Sequence, residues 1–436
     1  MSLYDKASLV QIPSGYKGGS PNGTLYSVLP ANGDGDFDHT RATSATRVNK
    51  DGLIESVASG VPRLDYPLID GVVQSCPALL LEPLRRNDIT YSEDFSGSSW
   101  NKSNVSITSD SIVSPDGSVN ASLMTITGGS SDQRVDKNVT YTGQNVFSVF
   151  AKASDSKWLS LRVGSVANKW FDLENGVLGS STITTNLDDS FIEYYGNGWY
   201  RCGIIFTFQS QAYARTRIYP AENDTDITHT SGSVYIWGAQ AEAGSYPTSY
   251  IPTTTSTVTR NADECNGAGT SAEFNDSEGV LFAELKGLNE TDSATGYITL
   301  NDGSTTTNAI FIQYRNTGEL RLYNGGTSTP ELIYRDANAD LTKNIKLAIK
   351  YGTTTGSYKV YINGFSQTIE GAFVATAMSG LSKLQFAYSN ATSNPFIGKT
   401  KQLMTFNEAL TDSELEQVTS WTSFGEMAKG QLYTIE

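Results

Sequence analysis

The sequence predicts an all-β protein with two tandem β-sandwich (jelly-roll) domains, preceded by an extended proline-rich N-terminal arm. Along most of the chain, apolar residues alternate with polar ones between turn dipeptides, which is the pattern of half-buried strands. Glycine (40) and proline (13) are spread over the 436 residues instead of being grouped in blocks. A helical period is sustained only near the C-terminus, so we expect few helices.

Composition excludes several classes of function. The chain has 46 acidic and 31 basic residues, a net charge of -15, which repels a nucleic-acid duplex or an anionic membrane. Apolar runs stay well short of a membrane span, so we expect neither a nucleic-acid partner nor membrane insertion. Three scattered cysteines and two histidines exclude a zinc knuckle, a redox motif and a histidine-based catalytic triad. The odd cysteine count and the lack of a secretory signal favour folding in a reducing cytosol.

The chain divides into four predicted segments. Residues 1–83 form the arm, because Pro62, Pro67, Pro77 and Pro83 remove ladder donors and favour a chain that runs extended over another surface. Residues 84–260 form the first sandwich, and the threonine-rich stretch 248–264 is an extended linker. Residues 261–425 form the second sandwich, and 426–436 are a tail.

Local patterns place several elements. Asn175-Gly176 and Asn363-Gly364 predict hairpin turns, and Gly318 provides a positive-φ position in a hairpin over 309–326. Strands 345–352 and 357–365 alternate cleanly between apolar and polar residues. The capping box from Thr411 to Glu414 predicts a helix of two to three turns. The helix should dock on the second sandwich through Leu410, Leu415 and Val418.

The acidic clusters do not match the patterns of known sites. Glycoside hydrolysis needs two carboxylates about 5–10 Å apart. A Glu-x-Asp-x-(x)-Glu run is absent, and the nearest clusters, at 222–226 and 93–94, fit solvated loop acids, so we predict no enzyme. Asp34, Asp36 and Asp38 have the spacing of an EF-hand, but His39 and Ala45 stand where that loop needs Gly and Glu. A calcium loop of another type stays open; we predict no cofactor and assign no metal.

A glycan-binding face is the third candidate. On the 309–323 hairpin, Ile310, Ile312, Tyr314, Leu320 and Leu322 form the core-facing set. The opposite face then carries Phe311, Gln313, Arg315, Arg321 and Tyr323, and Tyr361 has the same parity on a later strand. Aromatic rings stack on sugar C–H faces, and arginine and glutamine bind hydroxyls. Trp237 also takes the parity opposite to Val234 and Ile236 and would face outward. The alternative to a glycan-binding face is the ordinary polar outer face of a sandwich. In that case the tryptophans pack in the core or between domains.

Two parts of the chain resemble known families. YKVYINGF (358–365) and PFIGKTKQLMTFNEALTDSELEQV (395–418) resemble the laminin-G-like and pentraxin-like branch of the concanavalin A-like lectin/glucanase superfamily. ITYSEDFSGSSW (89–100), NGWYRCGI (197–204), YIWGAQAEAG (235–244) and YPTSYIPT (246–253) resemble carbohydrate-binding-module-like domains of tailed-phage structural proteins. RATSATRVNKDGLIE (41–55), PRLDYP and CPALLLEP resemble the N-terminal part of the same virion proteins.

The resemblance implies a bacteriophage tail or head fibre, or a related virion surface protein, assembled in the host cytoplasm. The N-terminal arm would bind other virion proteins, and the sandwiches would adhere to host-surface glycan. A homotrimer is expected from the fibre resemblance alone. Two alternatives stay open: a head-decoration, collar or ring protein with a purely structural role, and a polysaccharide depolymerase.

Overall fold

The computed structural model describes residues 3–12, 23–129, 132–288, 296–304, 308–315, 319–324, 332–334, 343–353, 357–368, 378–388, 394–423 and 426. Expectations for Gly318 and for most of the tail lie outside these residues. Among the described residues, no helix is long and apolar enough to cross a membrane.

The N-terminal segment contains one short helix and nine short strands. They are α1 (Leu3–Lys6), β1 (Leu9–Gln11), β2 (Thr24–Leu25), β3 (Phe37–Thr40), β4 (Ala45–Val48), β5 (Ile54–Val57), β6 (Arg63–Asp65), β7 (Leu68–Ile69), β8 (Val72–Val73) and β9 (Ala78–Leu81).

The first sandwich and the linker after it contain twelve strands. They are β10 (Arg85–Asn87), β11 (Asn101–Ser103), β12 (Val105–Val113), β13 (Val119–Ile126), β14 (Arg134–Ala153), β15 (Trp158–Val163), β16 (Ala167–Asp172), β17 (Val177–Leu178), β18 (Leu187–Tyr194), β19 (Trp199–Ala221), β20 (Ser233–Ala243) and β21 (Val258–Arg260). The main sheet runs β12-β13-β20-β14-β19-β15-β16-β17, with β11 on β14 and β18 on β19. The long strands β14 and β19 pair along almost their whole lengths, and residues from both ends of each strand lie in one core.

The second sandwich follows with β22 (Glu264–Asn266), β23 (Glu278–Gly287), β24 (Gly296–Asn301), β25 (Ala309–Arg315), β26 (Glu319–Asn324), β27 (Leu332–Tyr334), β28 (Ile345–Gly352), β29 (Lys359–Ile362), β30 (Phe365–Ser366), β31 (Lys383–Gln385), β32 (Gly398–Phe406) and α2 (Asp412–Thr419). A sheet ordered β30-β29-β28-β23-β32-β9-β6, with β1 also on β32, faces a sheet ordered β27-β26-β25-β24-β31. The chain is therefore all-β with two sandwiches, as predicted.

Several local predictions are confirmed. Ile345, Leu347, Ile349 and Tyr351 share the core of the second sandwich with Tyr358, Val360 and Ile362. Helix α2 begins at the capping box of Thr411 and Glu414, and Leu410 and Leu415 pack on the outer face of the larger sheet. Both Asn-Gly turns form, with positive φ at Gly176 and at Asn363-Gly364.

The N-terminal segment differs from the expected arm. Its strands β1, β6 and β9 are strands of the larger sheet of the second sandwich, and β3 pairs with β22. Leu9, Leu64, Leu79 and Leu81 lie in that sandwich's core. The prolines do keep strands short, but the surface over which this segment runs belongs to its own chain. The exact domain boundaries stay a prediction.

A buried ionic network joins the segment to both sandwiches. We call it the junction network: His39, Arg41, Arg63, Glu82, Arg260 and Asp263, each at most 2% exposed. Asp263 accepts from Arg41 at 2.8 Å and from Arg63, and its pKa lies well below the usual range. Glu82 binds Arg63 at 2.6 Å and Arg260 at 2.8 Å, and accepts from the Ser249 backbone N–H at 2.7 Å. The linker and the N-terminal segment are therefore locked together by paired charges.

Candidate functional site

The predicted face on β25 and β26 forms as a contiguous surface. Phe311 lies opposite Tyr323, Gln313 opposite Arg321, and Arg315 opposite Glu319. Four of the six predicted site residues are therefore brought together: Gln313, Arg315, Arg321 and Tyr323. The neighbouring strand β24 adds the ring of Tyr297, and the segment after β31 adds that of Tyr388; the two rings pack 4.5 Å apart between centroids.

The polar groups of this face already bind one another. Gln313 donates to the Tyr297 hydroxyl and accepts from the Tyr323 hydroxyl at 3.0 Å. Arg315 and Arg321 share the Glu319 carboxylate, at 3.7 and 2.7 Å. The Gln313 and Tyr323 residues are only 7% and 8% exposed. This face thus presents few ready ligand-binding groups, and its glycan role stays a prediction.

The remaining two predicted residues have the expected parity but are covered. Trp237 is 1% exposed, because Tyr250 and the N-terminal residue Ile54 pack over it on the outer face of the first sandwich. Tyr361 is 7% exposed beneath Leu410 and Leu415 at helix α2. Both rings are therefore packed, which for Trp237 is the packing alternative stated from the sequence, because alternation gives the face of a strand and not what covers it.

An arginine face that the sequence analysis missed lies on the other layer of the first sandwich. It consists of Arg134, Arg162, Arg215 and Arg217. On β14, β19 and β15, Asp136 lies opposite Arg217, and Arg217 lies opposite Arg162. The neighbouring parity, with Val135, Leu161 and Ile218, points into the core. The alternation therefore directs the four arginines away from the core on one sheet surface.

The charges on the arginine face do not balance. Asp136 binds Arg134 at 2.8 Å and Arg215 at 3.3 Å, and Asp132 also binds Arg134. Arg162 and Arg217 instead both donate to the Gly164 carbonyl, at 2.9 and 2.8 Å. Neither has an ion-pair partner among the carboxylates that the structure describes. Two guanidinium groups thus lie side by side with two positive charges uncompensated.

The environment of Arg217 disfavours its charge. Burial lowers the pKa of Arg217 most, Tyr219 opposes this, and the neighbouring Arg162, Arg134 and Arg215 lower the pKa further. Its Nε is buried and has no hydrogen-bond partner in the described part of the chain. Guanidinium forks match carboxylate and phosphate geometry, so the residue type of this face is the one that proteins use for anionic groups.

Comparison with known proteins finds some solved structures of low similarity. No family model and no curated protein matches the chain. Similar solved structures include the CBM40 module of the Ruminococcus gnavus IT-sialidase, at 17% identity and a TM-score of 0.28 over 36% of this chain and 94% of that one. Domains LG4-5 of the mouse laminin alpha1 chain match at 10% identity and a TM-score of 0.23, over 78% and 95%. At these identities and TM-scores, no ligand, activity or partner follows for this chain.

The acidic clusters considered in the sequence analysis form local hydrogen bonds. Asp36 accepts from Ser27, and Asp34 from Asn32, so these acids stabilise a turn. In the cluster at 222–226, Asp224 accepts from Ser180 and Asp226 from Thr228. No group of three or more histidine, cysteine, aspartate or glutamate side chains converges among the described residues.

The sequence predicts part of the arginine face. In the stretch 214–218, Arg215 and Arg217 alternate with Ala214, Thr216 and Ile218, which predicts two arginines on one strand face. Arg162 lies more than fifty residues earlier, and only the antiparallel register of β15 on β19 places it beside Arg217. The constellation is therefore a product of the pairing, which the sequence pattern does not encode.

Proposed function

We propose that this protein is a glycan-binding adhesin that binds acidic host-surface glycan through the arginine face of its first sandwich. The observation that carries the proposal is the pair Arg162 and Arg217, which share one backbone carbonyl and have no carboxylate partner among the described residues. A like-charge pair costs stability unless an anion completes it. A sugar carboxylate or sulfate ester supplies that anion.

The test is a glycan array with the full chain and two matched variants. Arg162→Gln/Arg217→Gln removes the uncompensated pair, and Lys50→Gln/Arg86→Gln removes two exposed positive charges elsewhere. We expect the wild type to retain acidic glycans, the first variant to lose about tenfold or more in affinity, since a charged hydrogen bond contributes about 1.5–3 kcal/mol, and the control to match the wild type. An array without retained glycan, or equal losses in both variants, contradicts the proposal.

The resemblance to virion proteins supports a place on a phage particle. In this proposal the chain is part of a tail or head fibre that assembles as a homotrimer, and several weak sites act together through effective concentration. The exposed side of the N-terminal segment, such as the β7–β8 hairpin with Val72 63% exposed, contacts other virion proteins. A cryo-EM map of the particle tests this. Copies at fibre tips agree with it, and copies enclosed among capsid or collar subunits favour the structural alternative.

A further inference from the structure

An exposed tyrosine continues the arginine face along strand β19. Tyr213 has the same parity as Arg215 and Arg217, while Ala214 and Ile218 of the other parity lie in the core. The three side chains therefore leave the same surface of the sheet in one line. Tyr213 is 73% exposed, and its side chain forms no hydrogen bond or ring contact with the described part of the chain. Its ring is thus open to pack on a ligand.

The spacing along β19 sets the length of a ligand that touches both the arginine pair and this ring. Arg217 and Tyr213 are four residues apart in the strand, which is about 13 Å and longer than a single sugar ring. Between them, Arg215 is paired with Asp136 at 3.3 Å and lies opposite the exposed Asn138. The middle of the face is therefore polar and balanced in charge, which suits sugar hydroxyls better than a second acidic group.

The two ends of the line differ in what lies beyond them. Past Arg217, Tyr219 has the outward parity but is only 3% exposed, and Trp170, two strands away on the same row, is 4% exposed. That end of the face is therefore covered. Past Tyr213, the pairing of β14 with β19 shifts its register, and residues 209–211 are exposed. A ligand anchored on the arginine pair therefore continues toward Tyr213.

We propose that the arginine face binds an acidic sugar together with the neutral sugars attached to it, and that one neutral sugar stacks on Tyr213. The inference rests on the proposed function and narrows its substrate class to oligosaccharides with the acid at one end of the bound segment. The separation of about 13 Å requires roughly three or more sugar residues. Arg162 and Arg217 bind the acidic group, and the Tyr213 ring packs on the C–H face of a sugar further along. Tyr213 is thus a specificity-determining residue that selects for chain length and not for acidity.

A glycan array with matched probes tests this inference. The probes carry one uronate or one sulfated sugar, either alone or with two neutral sugars attached, and the neutral sugars without the acid are the comparison. Tyr213→Ser removes the ring and Tyr213→Phe keeps it. The matched control is Phe365→Ser, which removes a ring that is 74% exposed on the second sandwich. Melting temperatures check that each variant is folded, which is expected because both positions are exposed.

The expected result is a dependence on chain length that requires the ring. The wild type should bind the longer acidic probes about fivefold more tightly than the acid alone, which is the order of one aromatic contact. Tyr213→Ser should lose this gain and still bind the acid alone as the wild type does. Tyr213→Phe and Phe365→Ser should keep the gain, and the neutral probes should not bind.

The outcomes separate this inference from the proposed function. If the acid alone binds as tightly as the longer probes, or if Tyr213→Ser behaves as the wild type, the stacking role is overturned. The proposed function still stands in that case, provided that Arg162→Gln/Arg217→Gln loses binding. An equal loss for the short and the long probes in Tyr213→Ser also overturns it, because the ring would then contact the acidic sugar itself. If no acidic probe binds the wild type, the proposed function fails and this inference fails with it.

Discussion

The junction network and the arginine face use the same residue types under opposite charge balance. In the network, Arg41, Arg63 and Arg260 meet Glu82 and Asp263, and Glu242 lies nearby. Burial lowers the pKa of Arg260, and the charges of Glu82 and Glu242 offset only part of this lowering. Three cations therefore face three anions in a nearly water-free site. On the arginine face, four guanidiniums face two carboxylates.

The difference in charge balance indicates that the junction network stabilises the fold, whereas the arginine face is suited to binding a ligand. A buried charge is tolerated only when it is paired and hydrogen-bonded, so a balanced cluster is needed simply to fold. An unbalanced cluster at a surface costs stability and gains nothing from the chain itself. Only a bound ion or ligand from outside the chain can neutralise its excess charge. The comparison predicts that neutralising substitutions destabilise the first cluster and leave the second nearly unaffected.

Asp263→Asn gives the largest expected effect. The substitution keeps the size of the side chain but leaves Arg41 and Arg63 with an uncompensated buried charge, which costs about 3–5 kcal/mol. Urea unfolding of the variant and the wild type measures the loss. Asp51→Asn, whose side chain is 62% exposed, is the matched control and should change stability by less than about 0.5 kcal/mol. Similar losses in both variants would mean that the network is not what holds the junction.

Acid should unfold the junction through the same carboxylates. Burial alone would raise the pKa of Glu82, but Arg260 and Arg63 outweigh it and lower the pKa from 4.5 to about 2. A pKa lower in the folded state than in the unfolded one stabilises the protein above the unfolded value. This stabilisation is complete at neutral pH and is lost as the pH falls from 4.5 toward 2. Melting temperatures recorded across this range should fall steeply, and should fall less in Glu82→Gln, which has less to lose.

Arg162→Gln/Arg217→Gln should leave stability nearly unchanged. The substitution removes two bonds to the Gly164 carbonyl but also removes the repulsion between the two guanidiniums. The two effects offset, so we expect a change within about 0.5 kcal/mol in urea unfolding. A loss of several kcal/mol would show that the pair is structural, and the contrast with the junction network would fail.

Sequence patterns predicted the elements that local chemistry determines. Alternation placed Ile310, Ile312 and Leu322 in the core, and the Thr411 capping box began a helix. Both signals act over a few residues, where side-chain period and hydrogen-bonding capacity decide the outcome.

The same patterns failed where distant segments cover or complete a surface. Trp237 takes the predicted outward parity, yet Ile54, almost two hundred residues away, packs in the cluster that buries it. Arg63 and Asp263 are two hundred residues apart and form one ion pair. The proline content predicted short extended strands in the N-terminal segment. It did not predict the surface on which these strands pack. Such contacts depend on tertiary register, which a local period cannot encode.

The exposed pair Lys359 and Asp412 should show the smallest effect. Its atoms lie within ion-pair distance, but the side chains are 37% and 56% exposed, so water competes with the attraction. A double-mutant cycle with Lys359→Ala and Asp412→Ala should give a coupling energy below about 1 kcal/mol that shrinks with added salt. The same cycle on Arg63 and Asp263 should give a several-fold larger, salt-insensitive value. Equal couplings at the two sites would contradict the view that burial and balance give the junction network its strength.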